Sequence, residues 1–309
     1  MLKSSVRIFA PATISNVGPG FDLMGFALEQ PGDIMVVKTN DTGLIRIINN
    51  TSSDIPVDPG MNVASVSVFA LLEALGCTTG FDLIFETKIN PGSGIGSSAA
   101  SCTAAVVGVN ELLNRPFTQK ELLPFAMKGE FVASGSVHAD NVAPALLGGF
   151  ILIRDYNPID IVRLEAPHDL ICTVAHPDIQ IKTSESRKLI PKELPVKKAL
   201  EQCGNIAALM AGLTASDYAL IGRSLHDVIA EPVRAALIPG YIEIKARLSE
   251  TGALGGNISG SGPSVFALSD NPESARKAGV LMQDVFAKVG LNSKVYISKV
   301  SRQGTRLID

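Results

Sequence analysis

Residues 91–101 read Pro91-Gly92-Ser93-Gly94-Ile95-Gly96-Ser97-Ser98-Ala99-Ala100-Ser101, and this stretch decides the fold. Before it, Phe81 to Thr87 predicts a strand. After it, an alanine-rich stretch to Leu113 predicts a helix. Glycines at 92, 94 and 96 let the backbone turn with positive φ and leave room for close approach of an anion. A helix opening at about Ser97 aims its unpaired N–H groups and the positive end of its dipole back at that loop. Strand, glycine loop and helix N-terminus in this order form a phosphate site that needs no net positive charge.

The spacing departs from the common phosphate loops. The third glycine comes one residue early for G-x-G-x-x-G, and the chain has no Gly-Lys dipeptide for a Walker A loop. Neither the His-Arg-Asp and Asp-Phe-Gly of protein kinases nor the G-x-S-x-G of serine hydrolases occurs. Taken alone, a plain turn of small residues stays open as the alternative. Two further Gly/Ser clusters weigh against it. Pro11-Ala12-Thr13-Ile14-Ser15-Asn16-Val17-Gly18-Pro19-Gly20-Phe21-Asp22 follows the first strand, and Gly255 to Ser264 runs into Val265-Phe266-Ala267-Leu268. Three such loops at strand ends fit one cleft better than three independent turns.

The 309 residues are 46% hydrophobic and 18% charged, which excludes a disordered polyelectrolyte and suits about two domains. A net charge of −3 gives no basic face for nucleic acid. Cys77, Cys102, Cys172 and Cys203 form no C-x-x-C and the histidines no H-E-x-x-H, so no zinc site is expected. Each cysteine reads as a small buried apolar residue in a reducing compartment. The N-terminus lacks a signal-peptide pattern, and the longest apolar run, Ala145 to Ile153, is half a membrane span. The expectation is a cytoplasmic protein with no membrane partner.

Local patterns predict strands at 6–10, 33–39, 81–87, 170–175, 264–268 and 294–300. They predict helices at 61–75, 97–113, 184–190, 196–213, 216–230 and 240–250, one opening at Thr118 and one from Asn271. Thr118 with Glu121, and Asp270 with Glu273, read as capping boxes. Turn residues gather between Arg154 and Asp169, which predicts domains of 1–165 and 166–309.

With these residues in view, Pro91 to Ser101 resembles the P-x-x-x-G-L-G-S-S-A-A signature of the GHMP small-molecule kinases, with Ile95 in place of leucine. The segments PATISNVGPGFD and ISGSGPSVFAL resemble the first and third motifs of that family. Three more segments resemble its homoserine-kinase branch: Gly129-Glu130 through Pro144, Thr183 to Pro191 with Arg187, and Glu231 to Arg234 with Ile238-Pro239-Gly240.

The resemblance implies an α+β two-domain GHMP kinase fold, with an ATP-binding N-terminal domain like the second domain of ribosomal protein S5. The C-terminal domain would be a ferredoxin-like α/β sandwich. It implies ATP as phosphoryl donor, Mg²⁺, L-homoserine as acceptor and, as is common in the family, a homodimer. The cradle for ATP would be Pro91 to Ser101, that is Pro91, Gly92, Ser93, Gly94, Ile95, Gly96, Ser97, Ser98, Ala99, Ala100 and Ser101. Asn62 is the candidate beside the adenine. Ser98 and Glu130 match the metal-binding positions, and few hard oxygen ligands suit Mg²⁺. Arg187 and Arg234 are suited to bidentate capture of the acceptor carboxylate. Asp22 would meet the ammonium, with Asn16, His138 and Gly260 completing the substrate set.

Asn141 stands where many GHMP kinases carry an aspartate base. An amide takes no proton at neutral pH, so Asn141 would orient the hydroxyl while a phosphate oxygen accepts the proton. Adjacent Asp140 is expected to face elsewhere, since neighbouring side chains seldom point the same way. The alternatives are a kinase for another small alcohol such as mevalonate, a catalytically silent metabolite sensor on the same fold, and a dinucleotide-dependent oxidoreductase. The glycine spacing disfavours the last.

Overall fold

In the computed structural model, which describes residues 4–135 and 138–309, the chain begins with a long antiparallel pair, β1 (Ser5–Ser15) and β2 (Met24–Asn40). Both run further than their predicted strands. β1 continues past Pro11, and the register shifts between Pro11 and Thr13, a bulge where the missing proline N–H is tolerated. β3 (Ile45–Asn49), α1 (Val63–Leu75) and β4 (Gly80–Thr87) form a β-α-β unit with parallel strands. α2 (Ser97–Leu112) follows the glycine loop and is buried on nearly every side, packed across β1 and β2. Its small side chains permit that close approach.

The Thr118 box forms, with Thr118 N–H donating to Glu121 Oε2 at 2.7 Å. It caps one 3₁₀ turn at Lys120–Leu122, and α3 (Leu123–Ser134) starts only after it. α4 (Val142–Leu147) leads into a hairpin of β5 (Phe150–Tyr156) and β6 (Ile159–Leu164), and β5 pairs with β2. The turn at 155–158 therefore closes a hairpin, and the chain crosses between sheets only after β6.

The second sheet takes β7 (Ile171–Pro177) and then receives a helical excursion: α5 (Thr183–Lys188), α6 (Val196–Ala215), α7 (Tyr218–Ser224), α8 (Glu231–Arg234) and α9 (Tyr241–Arg247). Of the helix expected over 216–230 only α7 forms, and α8 begins just beyond that span. Asp227 breaks it by turning its carboxylate onto the N–H groups of Ile229 at 2.8 Å and Glu231 at 2.9 Å, starting α8 afresh. β8 (Gly255–Ile258), β9 (Val265–Ser269), α10 (Pro272–Lys288) and β10 (Ser293–Lys299) complete a sheet of order β10-β7-β9-β8. α10 is capped by Asn271, whose side chain accepts from Ser274 N–H, rather than by an Asp270–Glu273 box. Asn271 has the extended backbone that a cap requires, with φ of −149°.

Finally β11 (Arg306–Ile308) returns to pair with β1. The first core cluster includes Leu170, Cys172 and Leu209, so it spans both sheets. The α+β architecture expected from the sequence is the one formed. Cys102 and Cys172 are buried as expected, but Cys203 is exposed, because its position on α6 lies off the packed stripe. Among the described residues no helix is long and apolar enough to cross a membrane.

Candidate functional site

The three Gly/Ser loops meet around one cavity of about 530 Å³. Its floor is the stretch from Pro91 to Ser98. Gly94 and Gly96 adopt φ of +77° and +72°. A Cβ on Gly94 would lie 2.6 Å from the Gly262 carbonyl oxygen, and one on Gly96 only 2.0 Å from Thr13 Oγ1. No side chain caps the start of α2, which leaves its first N–H groups facing the cavity.

Three consecutive carbonyls of the same loop are engaged by neighbouring segments. Ser264 Oγ donates to Ser93 O at 2.6 Å, Ser259 Oγ to Gly94 O at 2.7 Å, and Thr13 N–H to Ile95 O at 3.1 Å. The first and third motif loops thus hold the glycine loop by its acceptors, while of its donors Ser93 N–H is taken by Asn90 O at 3.3 Å. Ile95, Ala99 and Ala100 do not line the cavity, because their side chains are in the core. Ser97 and Ser101 line it but also reach beneath the loop.

There, a buried ion pair that sequence reading missed joins Lys88 to Asp33 at 3.0 Å. Lys88 Nζ also donates to Ser97 O at 2.8 Å, while Asp33 accepts from Ile89 N–H at 2.8 Å and Ser101 Oγ at 2.9 Å. Burial pushes the Asp33 carboxyl up, and Lys88 opposes that shift.

Glu130, on α3, is 8% exposed and hydrogen-bonds with Ser98. Burial pushes its carboxyl up to about 7, with Ser98 and Lys88 pulling the other way. A buried carboxylate so disfavoured as an anion, paired with a hydroxyl at the mouth of a phosphate loop, offers hard oxygens to a small divalent cation. Among the described residues no cluster of His, Cys, Asp and Glu forms a complete metal cage.

At the other end of the cavity lie the charged groups. Arg187 Nη2 pairs with Asp22 Oδ2 at 2.6 Å and meets His138 Nε2 at 2.7 Å. Burial lowers the pKa of His138, while Asp22 raises it. Arg234, delivered by α8, is 4% exposed. Its Nη1 donates to Gly260 O at 2.8 Å, and its Nε–H is buried with no hydrogen-bond partner. Both guanidinium groups lie over the ring of Phe21, at 5.4 Å for Arg187 and 5.1 Å for Arg234.

Asn16 uses its side chain to tie loops together, donating to Gly260 O at 3.0 Å and accepting from Asp22 N–H at 3.2 Å. Asn141 accepts from Thr13 Oγ1 at 2.7 Å and donates to Ser15 Oγ at 2.9 Å. Asp140 and Asn141 both line the cavity, against the expectation that they diverge. They occupy the turn entering α4, where side chains do not alternate as in a strand. Asp140 is 3% exposed, and burial, then the Asp22 and Glu130 charges, push its carboxyl up to about 7.

Asn62 lines the far wall but spends its amide on structure, accepting from Ala64 N–H at 2.9 Å and donating to Pro56 O at 2.6 Å. Ile55, Pro56, Met61, Val63, Phe85 and Val132 make that wall apolar. Lys88, Asp33, Phe21 and Asp140 were the residues left out of the sequence-based site. A lysine just before the glycine loop was the one signal that local reading offered.

The model for the GHMP kinases N terminal domain matches residues 62–149, and that for the GHMP kinases C terminal matches 206–288. The chain is 46% identical to a homoserine kinase of Chlorobium phaeovibrioides, over 98% of this chain and 99% of that protein. It is 45% identical to one from Chloroherpeton thalassium, over 97% and 98%. The crystal structure of homoserine kinase from Cytophaga hutchinsonii superposes with a TM-score of 0.96 at 45% identity, covering 100% of this chain and 98% of that one.

Proposed function

The chain belongs to the homoserine kinases of the GHMP kinase family, and from that premise we propose how its cleft works. The reaction is ATP-dependent phosphorylation of the L-homoserine side-chain hydroxyl to O-phospho-L-homoserine, a step towards threonine. Such a transfer asks a protein for positioning and charge stabilisation more than for covalent work.

The triphosphate lies on the N–H groups of Gly92 to Ser98, and the adenine against the apolar wall near Val63. Ser98 and Glu130 would hold Mg²⁺, which supplies charge neutralisation at the phosphates. Arg187 and Arg234 take the homoserine carboxylate. The observation that carries this reading is the convergence of two guanidinium groups, Arg187 and Arg234, on the lining of the same cavity as the glycine loop. Two such cations side by side in a cleft favour a carboxylate placed between them.

Asp22 already shares its charge with Arg187, so the ammonium rests between Asp22 and Asp140. Arrival of that cation makes Asp140 an anion near neutral pH. Asn141, fixed by Thr13 and Ser15, orients the acceptor hydroxyl, and its proton passes to a phosphate oxygen. The free cysteines suit the cytoplasm, where we place the enzyme.

ADP release with Mg-ATP, offered L-homoserine, L-serine, L-threonine, mevalonate and galactose in parallel, tests the reading. Turnover is expected to be highest with homoserine, and none above background would overturn it. Asp140→Asn should raise the KM for homoserine more than it lowers kcat. Abolished turnover with both substrate affinities intact would make Asp140 the base instead.

A further inference from the structure

We infer that Phe21 is a positioning residue for the acceptor: its ring holds the Arg187 and Arg234 guanidinium groups and so shapes the clamp that selects a carboxylate. The inference rests on the reading of the two arginines as that clamp. Two like charges must be kept close together here without a ligand. Asp22 accounts for Arg187, at 2.6 Å. Arg234 is 4% exposed and hydrogen-bonds to the neutral Gly260 O at 2.8 Å, so Asp22, Asp227 and Asp140 act on its charge through space against burial and the like charge of Arg187.

The ring adds a contact that both share, since both guanidinium carbons lie over it, at 5.4 and 5.1 Å from the centroid. An aromatic face attracts a cation through its quadrupole. A ring face also takes up none of a guanidinium's N–H donors. A second carboxylate would stabilise Arg234 too, but it would occupy the donors that the substrate needs. Phe21 therefore attracts the arginine without competing for its hydrogen bonds.

The loop that carries the ring is rigid. Asn16, Val17 and Asp22 hold left-handed backbones, with φ of 66°, 41° and 58°. The Asp22 N–H to Asn16 Oδ1 bond, 3.2 Å long, locks that turn. Strained non-glycine residues persist only where surrounding contacts fix them.

The test replaces Phe21 by mono-, di- and trifluorinated phenylalanine, which keep its shape while draining the ring face of negative charge. KM for homoserine should rise stepwise, to about tenfold in the trifluoro protein. ATP KM and kcat should stay within about twofold. With 3-aminopropan-1-ol, an acceptor lacking the carboxylate, kcat/KM should not change along the series. Phe21→Leu should exceed the fluorinated proteins in homoserine KM, and Phe21→Tyr should restore it. A flat homoserine KM along the series, or a parallel loss with 3-aminopropan-1-ol, would overturn the inference. Arg187→Lys and Arg234→Lys separate the two claims. If they raise homoserine KM while the fluorinated series is flat, the clamp stands and the ring's part falls. If they leave it unchanged, the clamp reading fails and this inference with it.

Discussion

On the proposed reading, the two ends of the cavity solve the same problem, holding an anion, with different materials. The donor end uses backbone: glycines at positive φ, open N–H groups, and carbonyls taken by Ser264, Ser259 and Thr13. The acceptor end uses side chains: Asp22, Arg187 and His138 bound to one another, with Arg234 beside them. The donor end is set by what is absent, Cβ atoms, so it is intolerant of any side chain. The acceptor end is a network of charges already paired, so it should fail by degrees and substrate by substrate.

The most damaging way to probe this contrast is Gly96→Ala. The new Cβ would meet Thr13 Oγ1 at 2.0 Å, on a backbone with φ of +72°. A loss in kcat/KM of about a thousandfold or more is expected, read by steady-state kinetics. A near-normal rate would show that the loop yields. Next comes Asp33→Asn, which strands Lys88 as an uncompensated buried charge. A stability loss of about 3–5 kcal/mol is expected in urea titrations. A change below about 1 kcal/mol would mean that water reaches Lys88.

Arg187→Lys keeps the charge but loses the fork. It should weaken homoserine binding by about ten- to a hundredfold with ATP affinity nearly constant. Equal loss of both would erase the distinction between the ends. Ser264→Ala is expected to be milder, raising the ATP KM by about fivefold with little effect on homoserine, because one loop carbonyl loses its donor.

A pH experiment spans the contrast. Glu130 and Asp140 are both raised to about 7 from ordinary values of 4.5 and 3.8. Between those limits the folded protein holds more protons than the unfolded one, so the stability they contribute is present at low pH and falls as pH rises towards 7. Denaturant melts of the ligand-free protein at pH 5 and pH 7.5 should show that decline, and Glu130→Gln or Asp140→Asn should flatten it. An unchanged slope in both variants would place the dependence elsewhere.

The same division governs what could be read from the chain. Local chemistry was legible in the glycines and the small residues of α2, which act within a few residues of themselves, whereas Asn62, read within a helix over 61–75 and beside the adenine, instead caps α1. Strand lengths were not, because β1 runs on past Pro11 only where β2 lies beside it. The break after Ser224 was hidden in the same way, since Asp227 looks like an ordinary polar residue until it turns onto α8. Asp33 and Lys88 are 55 residues apart, and Phe21 is far from both arginines in sequence. Their meanings exist only once the sheet and the loops bring them together.

The return of β11 to β1 has a consequence for how the protein is made. Thr305, just before it, donates through its backbone N–H to Ala145 O at 2.8 Å and through its hydroxyl to Thr103 Oγ1 at 2.9 Å. These contacts stitch α2 and α4, the helices that follow the glycine loop and Asn141, to residues translated well after them. While the ribosome is still at work, β1 has an open edge and both helices lack a tether. The nascent chain must keep its first sheet waiting until residues 305–308 clear the exit tunnel.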